Sequence, residues 1–285
     1  MILEKLAIVG TGLIGGSFAL ALKQAGAVRE VLGVGRNAER LGVARELGLI
    51  DRVADWAEAG QADGILLAVP VGETEFLLRQ LAPHLKPGAI VTDAGSTKAN
   101  VITAARAALG VRFMDFVPGH PIAGSEQSGA AAARADLYQG KRVVLTPDAD
   151  TRATARETVQ ALWQAAGAQV EILDAAQHDR IFAAVSHLPH LAAFALVDEL
   201  ARRADGETYF HFAASGFRDF TRIAASSPDM WRDIALTNKA AVLAELDAYL
   251  AALGALRDAV SAEDTAALLE TFQRARDARE HWQPS

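Results

Sequence analysis

Short apolar runs punctuate the first 173 residues: "LAIVG" (6–10), "VLGVG" (31–35), "GILLAVP" (64–70), "AIVTDAG" (89–95), "RVVLTP" (142–147) and "VEIL" (170–173). A half-buried strand would alternate apolar and polar positions; these do not, so they read as strands buried on both faces. Stretches of helical composition lie between most of them, which predicts a parallel sheet of βαβ units. After Asp174 the strand rhythm stops. Residues 175–204 and 233–260 read as long helices. In the second, Leu236, Leu243, Leu246, Leu250 and Leu253 recur at threes, fours and sevens and form one apolar stripe. The pattern therefore predicts an α/β fold: a Rossmann-type doubly wound sheet domain over residues 1–173, then an all-helical domain over 174–285. The boundary rests on the change of rhythm, since no low-complexity linker marks it.

Composition narrows the class. With 51% hydrophobic and 22% charged residues the chain can bury a sizeable core. A net charge of −7 argues against a nucleic-acid partner, which needs basic density to displace counterions. A few local arginines could still serve a small anionic substrate. The absence of cysteine removes disulfides, thiolate metal ligands and cysteine nucleophiles, and fits a reducing compartment. No apolar run is long enough to span a bilayer, and Met1 to Gly10 lack the basic start of a signal peptide. The expectation is a cytoplasmic protein with no membrane partner.

The first run enters "GTGLIGG", where Gly10, Gly12 and Gly15 stand in the GxGxxG arrangement. Gly10 permits a tight turn, Gly12 lets a pyrophosphate approach the backbone, and Gly15 allows close helix–strand packing. Thr11 lies within the turn, and the amides at Leu13 and Ile14 would open a helix and face the phosphates. Many proteins carry this motif alone. Here it follows an N-terminal strand, opens a helix and leads to a second strand, which points to a dinucleotide. Val69 and Pro70, at the end of the "GILLAVP" run, would border the same site.

An acidic residue that binds the adenosine ribose is expected about twenty residues after the last glycine. That position reads Gly35, Arg36, Asn37. With no carboxylate there, and with Arg36 able to pair with a 2′-phosphate, NADP is favoured and NAD remains possible.

The stretch "FVPGHPIAGSEQSG" (116–129) has too much turn chemistry for a helix and too little alternation for a half-buried strand. It reads as a constrained loop that fixes the direction of His120 between Gly119 and Pro121. An imidazole so held suits a proton acceptor, or a structural histidine bonded within its turn. "VTDAGSTKAN" puts Ser96 and Lys98 just beyond another strand end, where ligands bind in such sheets.

Taken together, "GTGLIGGSFALAL", "DAGSTK", "PGHPIAGSE", "SHLPHLAAFAL" and "GFRDFTRIAASSPDMWRDI" resemble the prephenate/arogenate dehydrogenase family of tyrosine biosynthesis, in order and spacing, from residue 10 to residue 234. The resemblance implies oxidative decarboxylation. A hydride passes from the ring carbon bearing the hydroxyl to NAD(P)+, carbon dioxide leaves the opposite carbon, and the ring becomes aromatic. It further implies that His120 polarises the ring hydroxyl and that Ser96 shares that hydrogen bond. Arg222 would hold the side-chain carboxylate, with Arg218 and Asp219 a turn earlier in the cleft. His187 and His190 would lie in the substrate cleft, His190 towards the ring carboxylate, and Glu126 near the entrance. Trp231 is open between core and site. The family also implies a homodimer joined through its helical halves.

Other readings stay open on the residues themselves. His187 and His190, three apart, could suggest a metal, but HExxH is absent and no cysteine can complete a site, so none is expected. Hydroxy-acid and imino-acid dehydrogenases share the two-part plan, yet use a lysine in the second half; here Lys239 stands alone there, with no matching motif. An NADP-binding sensor without chemistry would need His120, Ser96 or Arg222 replaced.

Overall fold

A computed structural model of the chain describes residues 1–124 and 127–282. Strands β1 (Leu3–Val9), β2 (Val28–Val34), β3 (Arg52–Val53), β4 (Gly64–Leu67), β5 (Ile90–Asp93) and β6 (Phe116–Val117) form a parallel sheet in the order β3-β2-β1-β4-β5-β6. This is the doubly wound arrangement, and the order reverses between β1 and β4, where such sheets open a crevice. Helices α1 (Leu13–Gln24), α2 (Ala38–Glu46), α3 (Trp56–Gly60), α4 (Thr74–Leu81), α5 (Ala99–Leu109) and α6 (Ala153–Ala165) cover the sheet.

The lack of alternation has a direct cause. Leu6 and Ile8 of β1 join one core with Phe18, Leu22 and Trp163, while Ala7 and Val9 join another with Leu77, Ala105 and Phe116. Each large side chain removed from water contributes about 1.5–3 kcal/mol, so both faces favour apolar residues. The rings of Phe18 and Trp163, 4.2 Å apart, bring α1 against α6.

Two details depart from the sequence expectation. The strands do not share one sheet: β7 (Gly119–Pro121), β8 (Arg142–Leu145) and β9 (Gln169–Ile172) form a second, three-stranded sheet in which β7 runs antiparallel to β8. And His120 sits on a strand, not in a loop, with β6 and β7 on either side of Pro118. Strands of two and three residues are too short to display alternation; pairing with β5 and β8 defines them.

Helices α7 (Ala175–Phe182), α8 (Leu188–Ala201), α9 (Gly206–Phe212), α10 (Ser215–Thr221), α11 (Pro228–Thr237), α12 (Lys239–Ser261) and α13 (Thr265–His281) make up the rest. A π-turn, Ala183–His187, joins α7 to α8, and Pro189 stands in the first turn of α8. Proline lacks the N–H that an uninterrupted α-helix needs, and the wider turn accommodates it. The stretch 233–260 is likewise two helices, divided at Asn238. Trp231 and Ile234 of α11 enter the core on the Leu77 side of the sheet, which fastens the helical half to it.

The expectation that nothing is long enough to cross a membrane also needs correction. By length and composition alone, the continuous helical segment Ala175–Ala201 passes that test. His187 and His190 interrupt its apolar run, so it does not stand out in the sequence as an unbroken stretch.

Candidate active site

The glycine turn has the form a dinucleotide needs. Gly10 has φ +95°, and a Cβ there would fall 2.3 Å from the carbonyl oxygen of Ala68. A Cβ on Gly15 would meet the carbonyl oxygen of Gly10 at 2.2 Å, so only glycine lets α1 approach β1 this closely. At Gly12, by contrast, a Cβ would meet nothing within 4 Å. That open face lies over the start of α1, whose first turn carries no acidic residue, so the amides of Leu13 and Ile14 offer their positive end to a phosphate. Thr11 is buried in the turn. Val69 lies beside Gly10, and Pro70 is exposed at the rim. The residues present fit a pyrophosphate.

The rim beyond β2 holds a surprise. Arg36 is exposed, as expected, but its guanidinium lies 3.3 Å from the carboxylate of Glu73. A negative charge therefore stands at the end of β2 after all, delivered from the turn before α4. Gly35 leaves the strand and is exposed. Asn37 is committed elsewhere: its side-chain oxygen caps α2 by accepting the N–H of Arg40 at 2.9 Å.

His120 is gripped from two sides. On the backbone side, the carboxylate of Asp93 accepts the N–H of Gly119 at 3.0 Å, and Lys98 Nζ donates to the Gly119 carbonyl at 2.7 Å. Lys98 and Asp93 are themselves a fully buried ion pair at 2.5 Å. On the side-chain side, His120 Nδ1 lies 2.9 Å from His178 Nε2, and His178 Nδ1 lies 2.8 Å from Asp179 Oδ1. Asp179 also accepts the backbone N–H groups of Lys98 and Ala99, at 2.8 and 2.9 Å. The ring of Phe182 covers His120 edge-on at 4.9 Å.

Electrostatics follow from this enclosure. Burial, then the neighbouring charges of His178, Lys98 and His187, hold the His120 pKa well below that of a free imidazole. Burial also lowers His178, against the opposing pull of Asp179. For Asp179, burial would raise the pKa, but the hydrogen bonds from His178, Ala99 and Lys98 outweigh it and keep the carboxylate ionised.

His187 is turned inward by the π-turn. Asn238 donates through Nδ2 to the Asp179 carbonyl at 2.8 Å and faces His187 Nδ1 at 3.2 Å. Burial pushes the His187 pKa down to about 4, and its Nε2 is buried with no hydrogen-bond partner. His190 stacks on Trp231 at 3.7 Å, and Trp231 Nε1 is also buried without a partner. Trp231 is thus a core residue whose ring packs against His190. The His190 pKa is lowered by burial and further by the charge of Arg222. The charge of His187 thus weighs on His120, that of His190 on His187, and that of Arg222 on His190.

The remaining sequence candidates are more scattered. Ser96 is half-buried in the turn between β5 and α5. Arg222 is exposed at the end of α10. Arg218 and Asp219 are exposed on α10 and paired with each other at 3.5 Å. Glu126 lies outside the described residues.

Comparison with known proteins settles the kinship. Residues 18–172 match the family model described as prephenate dehydrogenase, nucleotide-binding domain, and residues 174–274 match prephenate dehydrogenase, dimerization domain. The cyclohexadienyl dehydrogenase of Zymomonas mobilis subsp. mobilis is 36% identical over 98% of this chain and 96% of its own length.

This chain belongs to the prephenate dehydrogenase family.

Solved structures of the family agree in shape over nearly the whole chain. The prephenate dehydrogenase of A. aeolicus, in complex with hydroxyphenyl propionate and NAD+, aligns with a TM-score of 0.92 at 37% identity, covering 97% of each chain. The Synechocystis arogenate dehydrogenase aligns at 0.82 and 30% identity, over 97% of this chain and 99% of that one.

In this prephenate dehydrogenase relative His178, Asp179, Glu73 and Asn238 are not marked by local sequence pattern. "QHDRI" and "VGETE" carry no spacing that marks them. Each acquires its role from a partner on a different element.

Proposed function

We propose that this chain catalyses the NAD(P)+-dependent oxidative decarboxylation of prephenate, arogenate or both, with His120 as the proton acceptor. The observation that carries this reading is a half-buried His120 on β7, gripped from both sides and with its pKa held below that of a free imidazole, in a member of this family with an open dinucleotide turn. A neutral imidazole can take the ring-hydroxyl proton as that carbon is oxidised. A nicotinamide dinucleotide, whose pyrophosphate the amides of Leu13 and Ile14 would hold, would supply the hydride acceptor. Aromatisation provides most of the driving force, so the protein's work is to orient the ring and receive one proton.

Ser96 shares the hydrogen bond to the ring hydroxyl. Arg222 holds the side-chain carboxylate, since a guanidinium binds a carboxylate through two parallel N–H groups. His190 and His187 face the ring carboxylate; the unpartnered Nε2 of His187 supports this, because a buried donor without an acceptor costs about 1–3 kcal/mol unless a ligand meets it. Arg218 and Asp219, a turn before Arg222, belong to the cleft.

Residues 1–173 act as the dinucleotide-binding half and residues 174–285 as the substrate and dimerisation half. NADP+ is the better cofactor, by a margin that Glu73 reduces through its hold on Arg36. The chain works as a cytoplasmic homodimer joined through the helical halves. In support, Leu236 and Leu250 of the leucine stripe are 65% and 62% exposed in the single chain, a costly arrangement for a lone protein.

A steady-state assay crossing prephenate and arogenate with NAD+ and NADP+ tests the reading. The expected result is equimolar reduced cofactor and carbon dioxide with at least one pairing. Turnover of neither substrate by the folded dimer would overturn it.

A further inference from the structure

We infer that His178 and Asp179 are positioning residues that set the tautomer of His120, leaving its Nε2 bare to receive a proton. The inference rests on the proposal that His120 is the acceptor. It follows from counting donors along one hydrogen-bonded row that begins at the backbone. Asp179 accepts the N–H of Lys98 through Oδ1 at 2.8 Å and the N–H of Ala99 through Oδ2 at 2.9 Å. Those amides open α5 and have no other helical partner, so the positive end of the helix faces the carboxylate.

An ionised carboxylate can only accept. His178 Nδ1, 2.8 Å from Asp179 Oδ1, must therefore carry the hydrogen. In the neutral ring the other nitrogen, Nε2, is then bare and accepts. Its partner at 2.9 Å is His120 Nδ1, which must be the donor. A neutral His120 so bonded has its lone pair on Nε2, away from the row. Which nitrogen of the proton acceptor is bare is thus decided by two amides at the start of α5, relayed through Asp179 and His178 of α7 in the helical half.

The row also answers the charge that forms. When Nε2 takes a proton, His120 becomes a cation in a buried site. Of the charged and titratable groups around it, His178 when it is itself charged, Lys98 from the turn before α5 and His187 from the π-turn oppose that cation. Asp93 on β5 is already paired with Lys98. Asp179 on α7 is left to meet the cation, through His178. The same logic orients the histidine of a serine protease triad, where the carboxylate selects a tautomer and remains ionised.

Two measurements decide the matter. The first is nitrogen NMR of the wild-type protein labelled in histidine, with His120 assigned by its loss in His120→Asn. The expected spectrum has a protonated Nδ1 and a bare Nε2 on His120. A bare Nδ1 would overturn the inference, whatever becomes of any variant.

The second is kinetic. In Asp179→Asn the row loses its obligate acceptor, so kcat should fall about tenfold or more with the substrate KM near wild type, and the acid limb of kcat/KM should move. Asp179→Glu should recover part of the rate. An unchanged kcat and an unmoved acid limb in folded Asp179→Asn would also overturn the inference. Full activity in His120→Asn would instead remove the acceptor role itself, a separate failure.

Discussion

Lys98 Nζ donates to the carbonyl oxygen of Gly119 at 2.7 Å from a position wholly closed to solvent. The bond fixes the residue immediately before His120, and its partner Asp93 fixes the same residue through its N–H. A buried ion pair returns little net stability because both charges must be desolvated. Its value here is directional: it holds β7 against the carboxyl end of β5.

His120→Asn should lower kcat by about 10²–10⁴ with little change in KM, because the lost contact is made to the proton in flight. The pH profile has a definite sign. His120 must be neutral to accept, and burial holds its pKa below the ordinary imidazole value. kcat/KM should therefore be flat at neutrality and fall only as the pH drops through that lowered pKa. An acid limb that persists unchanged in His120→Asn would transfer the acceptor role to another group, with His190 first in line.

Arg222→Gln should act on binding. Hydrogen bonds to charged groups contribute about 1.5–3 kcal/mol, and the exposure of Arg222 places it at the lower end. The substrate KM should rise about tenfold while kcat stays within a few-fold of wild type. A fall in kcat alone, with KM unmoved, would count against a carboxylate contact.

Glu73→Gln should widen the preference for NADP+. The Arg36–Glu73 pair is exposed, and such pairs are worth up to about 1 kcal/mol. Releasing Arg36 should thus raise the NADP+ to NAD+ ratio of kcat/KM by up to about fivefold. A preference for NAD+ in both proteins would mean that Arg36 does not face the ribose phosphate.

Sedimentation at micromolar concentration should give about twice 30.1 kDa. Leu250→Lys, at an exposed position of the stripe, should shift the distribution towards one chain without unfolding it. A single-chain mass for the wild type would remove the homodimer from the proposal.

Much of this protein was readable from local order in the sequence. The glycine turn is a matter of backbone room within six residues: a Cβ at Gly10 or Gly15 would strike a backbone carbonyl, and Gly12 leaves an open face. Strands such as β1 are legible because a residue covered on both faces has no reason to be polar, whereas the run that forms β9 lies largely exposed at the edge of the second sheet. The change to helix after Asp174 needed only periodicity. What the sequence could not disclose depends on contacts between distant residues. His178 lies 58 residues from the ring it touches, and Asp179 lies 81 residues from the amide that binds it. Glu73 reaches Arg36 from another turn, so the end of β2 looked free of negative charge when read alone. Asn37 looked available until its cap was seen, and β6 and β7 were too short to be strands without neighbours. Periodicity and glycine spacing record what each segment can do by itself. Tautomers, ion pairs and paired short strands exist only once the chain has closed, because a hydrogen bond or a buried charge is specified by its partner and not by its neighbours in sequence.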